Sequence, residues 1–233
     1  MIGVGIYAII WSILFIARKD LRKKILITSL FAAPLGISEL LFIPEYWIPQ
    51  FQTIPIFEEL FLESILFCFF LGGVVSVIYQ GITNNKMFEF GKINPYLTLI
   101  APAIFLTYFL KIFYINPIYY VFISMLVGSF ILLIYLKKNA IKIVYSALIN
   151  TILYFAFYYI ISQIFPELSA SYQINNFYGI LVNGIPIEEF IWIFSFSLYW
   201  TPLYEIWRNY LNSALKRSRT MQHKYNHSKN KDN

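Results

Sequence analysis

Two adjacent carboxylates, Glu188 and Glu189, follow Pro186 and Ile187 at the start of a strongly apolar segment, Ile185–Trp207. A looser echo, Pro55-Ile56-Phe57-Glu58-Glu59, opens an earlier segment, Pro55–Tyr79. Neighbouring carboxylates in an apolar setting can divide acid and base work. Burial and mutual repulsion keep one protonated while the other stays ionised. Ionisable groups within a bilayer are costly enough to be read as functional. Glu39 ends another apolar segment at similar depth, which makes a candidate layer of Glu39, Glu58, Glu59, Glu188 and Glu189, with Glu63 one turn below Glu59. A lone glutamate at such a place could equally cap a helix N-terminus, where negative charge is favourable. Two pairs and Glu39 in one layer favour chemistry. Glu205, near the other end of its segment, reads as an interfacial snorkelling residue, and Glu45, Glu89 and Glu167 read as loop charges.

The elements that must position these groups follow from composition. Of 233 residues, 59% are hydrophobic, 20% aromatic and only 13% charged, more apolar surface than a soluble domain of this size can hide. The chain reads as an all-α membrane protein with seven transmembrane helices: Val4–Ile16, Ile25–Ile43, Pro55–Tyr79, Pro95–Tyr114, Pro117–Leu136, Ile141–Phe165 and Ile185–Trp207. Seventeen of the 18 Lys and Arg residues fall on one side of this map, Lys111 being the exception. By the positive-inside rule the N-terminus is outside the cell membrane and the C-terminus cytoplasmic. With its basic residues in loops and a tail rather than on one folded face, the net charge of +6 does not suggest nucleic acid as a partner. Cys68, the one cysteine, allows no intrachain disulfide.

The map also contains a repeat. Crossings one to three and five to seven each run helix, basic loop, helix, outer loop, acidic-opening helix, and Lys137–Lys142 answers Arg18–Lys24. The expected organisation is two parallel three-helix repeats joined by a linker helix. Residues 1–80 form the first repeat, 81–116 the linker with the fourth crossing and 117–208 the second. Residues 209–233 form a basic, disordered cytoplasmic tail that anchors at the inner leaflet. The 19 Tyr and 23 Phe could line a polyene cavity and stabilise a cation through their π faces, or form interfacial belts and helix packing. Tyr158, Tyr159, Tyr178, Trp192, Phe194 and Trp200 flank the second acidic pair.

The stretch Gly179-Ile180-Leu181-Val182-Asn183-Gly184-Ile185-Pro186-Ile187-Glu188-Glu189-Phe190 resembles the Gly-rich approach and Pro-x-Glu-Glu signature of the lycopene cyclase domain family. The resemblance implies repeats with a basic first loop, an acid near the end of the second helix and Pro-x-Glu-(Glu/Asp) opening the third. Arg18–Lys24, Glu39 and Glu58/Glu59 fill those places in the first half, and Lys137–Lys142 with Glu188/Glu189 in the second. It further implies an intramolecular lyase or isomerase. Such an enzyme cyclises the end of a long polyene lipid in the bilayer by proton transfer, with no cofactor and no metal. The first motif departs from the family by one extra residue after Pro55. The sixth crossing has Tyr158, Tyr159 and Gln163 but no carboxylate to match Glu39.

Rival classes lack their residues. The only histidines, His223 and His227, lie in the tail, against a Glu-Glu membrane protease. No Asp occurs between Asp20 and Asp232, against membrane prenyltransferases, and the last crossing has no Lys for retinal. A lipid- or proton-handling transporter on parallel repeats stays open as a non-enzymatic alternative, as does assembly into a homo-oligomer.

Overall fold

The computed structural model describes residues 2–49, 52–57, 59–83 and 115–229, with five isolated positions between 96 and 112. Its helices are α1 (Ile2–Ala17), α2 (Arg22–Ala32), α3 (Leu62–Thr83), α4 (Pro117–Tyr135), α5 (Ala140–Ile164), α6 (Ile187–Trp200) and α7 (Leu203–Lys229). Four stretches among the described residues are long and apolar enough to cross a membrane: Arg22–Leu41, Leu62–Thr83, Pro117–Tyr135 and Lys137–Ile164. Gly3–Ala17 is a shorter apolar helix. The fourth crossing, Pro95–Tyr114, lies almost wholly outside the described residues, as do Glu58 and Lys111.

Helices α1 and α2 pack on α3, α4 and α5 pack on α6, and α3 meets α5 between the two groups. The core at this junction includes Tyr7, Leu71, Val74, Val75, Ile143, Ala147, Tyr154, Ile193 and Phe196. Small residues allow the closest approaches. A Cβ on Gly36 would lie 2.6 Å from the Ile65 Cα, and one on Gly72 would lie 2.2 Å from the Ala32 Cβ. Neither obstacle is a flexible side chain that could swing away. Gly36→Ala or Gly72→Ala is therefore expected to destabilise the fold by about 1–3 kcal/mol. A lower temperature of aggregation in detergent, relative to the parent, would register this.

The structure corrects several boundaries, each for a local reason. The second crossing is not one α-helix: at Pro34 it tightens into a 3-10 segment, Ala33–Leu41, because proline cannot donate to the carbonyl four residues back. The third begins at Leu62 rather than Pro55, because Pro55–Phe57 and Leu60–Phe61 pair as a short antiparallel hairpin. In the second half Leu181–Val182 and Ile185–Pro186 make the matching hairpin. Its Asn183-Gly184 turn has φ of 51° and 78°, the left-handed pair a two-residue turn requires. The seventh crossing stops at Trp200 and restarts at Leu203, interrupted beside Pro202.

The tail is the largest revision. Residues expected to be disordered continue α7 as one helix to Lys229. Leu203, Ile206, Trp207, Tyr210, Leu211, Ala214 and Leu215 recur at helical spacing, a pattern that the density of basic residues obscures. Glu205 is also revised. It is completely buried and pairs with Lys24 Nζ at 2.5 Å, Lys24 itself being 1% exposed. Lys24 also donates to Gln80 Oε1 at 3.0 Å. Snorkelling fails here because α7 leaves the bundle against α2, so Glu205 reaches a cation before it reaches water.

Candidate active site

Glu188 and Glu189 stand in the first turn of α6, which the Asn183-Gly184 hairpin delivers into the bundle. Adjacent helical positions diverge by about 100°, and the pair separates accordingly. Glu189 turns inward, where Tyr154 of α5 donates a hydrogen bond to its Oε2 at 2.7 Å. Glu188 turns towards α4, accepting from the Tyr119 hydroxyl at 2.9 Å and the Tyr178 backbone N–H at 3.2 Å. Both are buried.

Of the pair expected in the first half, Glu58 lies outside the described residues. Glu59 is exposed in the turn of the hairpin. The counterpart of Ile187-Glu188-Glu189 is Leu62-Glu63-Ser64. Leu62 N donates to the Ile54 carbonyl at 2.9 Å as Ile187 N donates to that of Ile180 at 3.0 Å, so the two helix starts align one for one. Phe61 then occupies the place of Pro186, and a proline-anchored reading of the sequence settles on Pro55, six residues too early.

Glu39 is buried, as its place in the layer suggested. Its Oε1 accepts from Gln52 Nε2 at 2.8 Å, and its Oε2 accepts from the Ser64 hydroxyl. The two halves thus divide the same positions in opposite ways. The first puts its carboxylate on the second crossing and a hydroxyl, Ser64, at the start of the third. The second puts its carboxylate, Glu189, at the helix start and a hydroxyl, Tyr154, on the preceding helix.

Both carboxylates line one cavity of about 590 Å³. Its remaining wall is mostly apolar and aromatic, with Phe67, Phe157, Tyr158, Trp192 and Trp47 among its residues. Trp192 stacks in a column with Phe196 and Trp200 along α6, the successive ring centroids 5.7 and 5.3 Å apart. Tyr46, in the loop after the second crossing, lines the same cavity as Glu189. Burial, and then the nearby carboxylate, hold its phenol far above the ordinary range, so it stays neutral. Sequence reasoning missed Tyr46, Gln52, Ser64, Tyr119 and Tyr154, since tyrosines and small polar residues abound in this chain and only the fold distinguishes them.

The arrangement supplies two separately held carboxylates, hydroxyl donors on each and aromatic faces around a largely apolar space. Comparison with known proteins adds a family. Residues 116–207 match the lycopene cyclase family. The resemblance drawn from Gly179 to Phe190 is thereby borne out. The lycopene cyclase match runs from the N-cap of α4 into α7 and contains Tyr119, Tyr154, Glu188 and Glu189, whereas Glu39, Gln52, Glu63 and Ser64 lie outside it. No curated protein and no solved structure matches the chain.

Proposed function

We propose that the protein is a carotenoid cyclase that closes a ring at the end of lycopene or a related polyene. The observation that carries this reading is the convergence of Glu39 and Glu189, from different halves of the chain, on one aromatic cavity. The second of these lies within residues 116–207, the stretch that matches the lycopene cyclase family, which supports the reading. Glu189, with one oxygen taken by Tyr154, carries the proton on the other. Glu39, with a donor on each oxygen, serves as the acceptor.

Glu189 gives its proton to the terminal double bond of the acyclic end, leaving a tertiary cation. A second double bond of the same end attacks that cation. One carbon–carbon bond forms, a six-membered ring closes and the positive charge moves into the ring. A ring carbon beside the charge then loses a proton to Glu39, and a double bond re-forms. One proton enters the polyene and one leaves, so the product is an isomer and no oxidant or reductant is consumed. Aromatic faces lower the cost of the passing cation by roughly 0.5–2 kcal/mol per contact, and the largely apolar wall limits the water that could trap it. The proposal includes the membrane arrangement: seven crossings in two parallel repeats, N-terminus outside and C-terminus cytoplasmic, as the distribution of Lys and Arg suggests.

Expression in a lycopene-accumulating bacterium, followed by chromatography of the pigments, tests the assignment. Conversion of lycopene to isomers carrying one or two rings is the expected result. Unchanged lycopene in cells that contain the inserted protein would remove the substrate assignment.

A further inference from the structure

Glu188 belongs to the motif by which the family resemblance was drawn, yet it does not line the cavity. Glu63, its counterpart, borders the cavity, but its carboxylate is engaged elsewhere. Oε1 accepts from the Thr53 backbone N–H and hydroxyl, both at 2.8 Å, and the Ile54 N–H approaches both oxygens at 3.3 and 3.4 Å. The two contacts are alike in place, though the Tyr178 N–H is shared with the Tyr119 hydroxyl at 3.0 Å, which Glu188 itself holds. Thr53 precedes Glu63 by ten residues, and Tyr178 precedes Glu188 by ten. In each half the carboxylate in the first turn of a helix grips the backbone of the strap that enters its own hairpin.

Each strap carries something to the reacting groups. Thr53 adjoins Gln52, whose amide donates to Glu39. Tyr178 adjoins Phe177, which packs on Tyr46 with ring centroids 5.2 Å apart, and Tyr172 on the same strap packs on Tyr46 at 5.7 Å. Tyr46 in turn lines the same cavity as Glu189. We infer that Glu63 and Glu188 are latches, positioning residues that hold the two straps so that Gln52 meets Glu39 and Tyr46 keeps its place in the cavity with Glu189, and that neither exchanges a proton with the polyene. Only the effect on rate rests on the cyclase reading; the grip on the straps does not.

The latch needs an acceptor oxygen and not an acid. A glutamine at 188 keeps Oε1 for Tyr119 and Tyr178. The Oε2 it replaces has no hydrogen-bond partner among the described residues, so the amide nitrogen displaces no donor. Glu188→Gln in the full-length protein is therefore expected to lower kcat about fivefold or less, the worth of one neutral hydrogen bond. Glu188→Ala removes the acceptor that holds both the Tyr119 hydroxyl and the Tyr178 N–H, and a misplacement near 1 Å at the carboxylates is expected to lower kcat about 10²-fold. Glu63→Gln and Glu63→Ala should repeat the contrast.

A second readout needs no activity. In detergent, hydrogen–deuterium exchange of the Tyr178 amide is expected to quicken about tenfold or more in Glu188→Ala and to stay near the parent's in Glu188→Gln. The Thr53 amide should behave likewise for Glu63. Glu188→Gln as inactive as Glu188→Ala, with the strap still protected, would overturn the latch and make Glu188 a proton donor or acceptor. Unchanged exchange in both alanine variants would overturn it directly. A parent that leaves lycopene untouched would sink the cyclase reading alone, and exchange would still decide the latch.

Discussion

Glu189→Gln is expected to reduce ring formation about 10²–10⁴-fold, the usual worth of a general acid or base, while the protein still inserts. Glu39→Gln is expected to do the same. The losses correspond to roughly 3–5 kcal/mol of transition-state stabilisation. No structural role of these side chains is worth as much: a helix-end charge contributes about 0.3–1 kcal/mol and a single hydrogen bond about 1 kcal/mol. Glutamine keeps the size of glutamate and can still accept from Tyr154, so what it removes is the proton chemistry. Glu59→Gln, in an exposed turn, should leave conversion at the parent's rate. Pigment yield normalised to inserted protein is the measurement, and parental yields from both Glu189→Gln and Glu39→Gln would end the acid–base assignment.

The second large effect is on stability. Lys24 and Glu205 form a fully buried ion pair, and removing one partner of such a pair leaves an uncompensated charge at a cost of about 3–5 kcal/mol. The two single changes should not be equal. Arg208 also acts on both residues. Glu205→Leu leaves two cations facing each other, whereas Lys24→Met leaves Glu205 with Arg208 nearby. Glu205→Leu is therefore expected to be the more damaging. The double variant Lys24→Met/Glu205→Leu should recover most of the loss, since a buried pair replaced by apolar groups is often neutral or better. Thermal stability in detergent across this double-mutant cycle checks it, and simple additivity of the two losses would show that the pair is not coupled.

What the sequence made legible depended on whether a signal was local. Glu188 and Glu189 were readable because Pro186, two carboxylates and an apolar run stand side by side. Glu39 was readable from depth alone. Glu63 was read only as lying a turn below Glu59, and Ser64 was not placed, because Phe61 stands where the second half has Pro186 and the conspicuous Glu58-Glu59 drew the motif too early. The second hairpin did announce itself in Asn183-Gly184 between Leu181-Val182 and Ile185, a turn signal overshadowed by the apolar run that follows. Tyr154 and Tyr119 look like any of the other tyrosines until folding sets them against Glu189 and Glu188. Lys24 and Glu205 are 181 residues apart, and hydropathy, which sees one segment at a time, assigned each to water.

The continuous helix α7 gives the basic end of the chain a direction. From Glu205 to Lys229 it runs about 36 Å at 1.5 Å per residue, and its root is clamped by Lys24. A disordered segment of the same composition would spread its charge as a diffuse cloud around its point of attachment. A rod fixed at one end instead presents each charge at a set distance and azimuth from the bundle. The angle at which Glu205 meets α2 therefore sets where Lys216 and Arg219 stand, and a change at that buried root would be felt at the far end as a sweep of the whole arm.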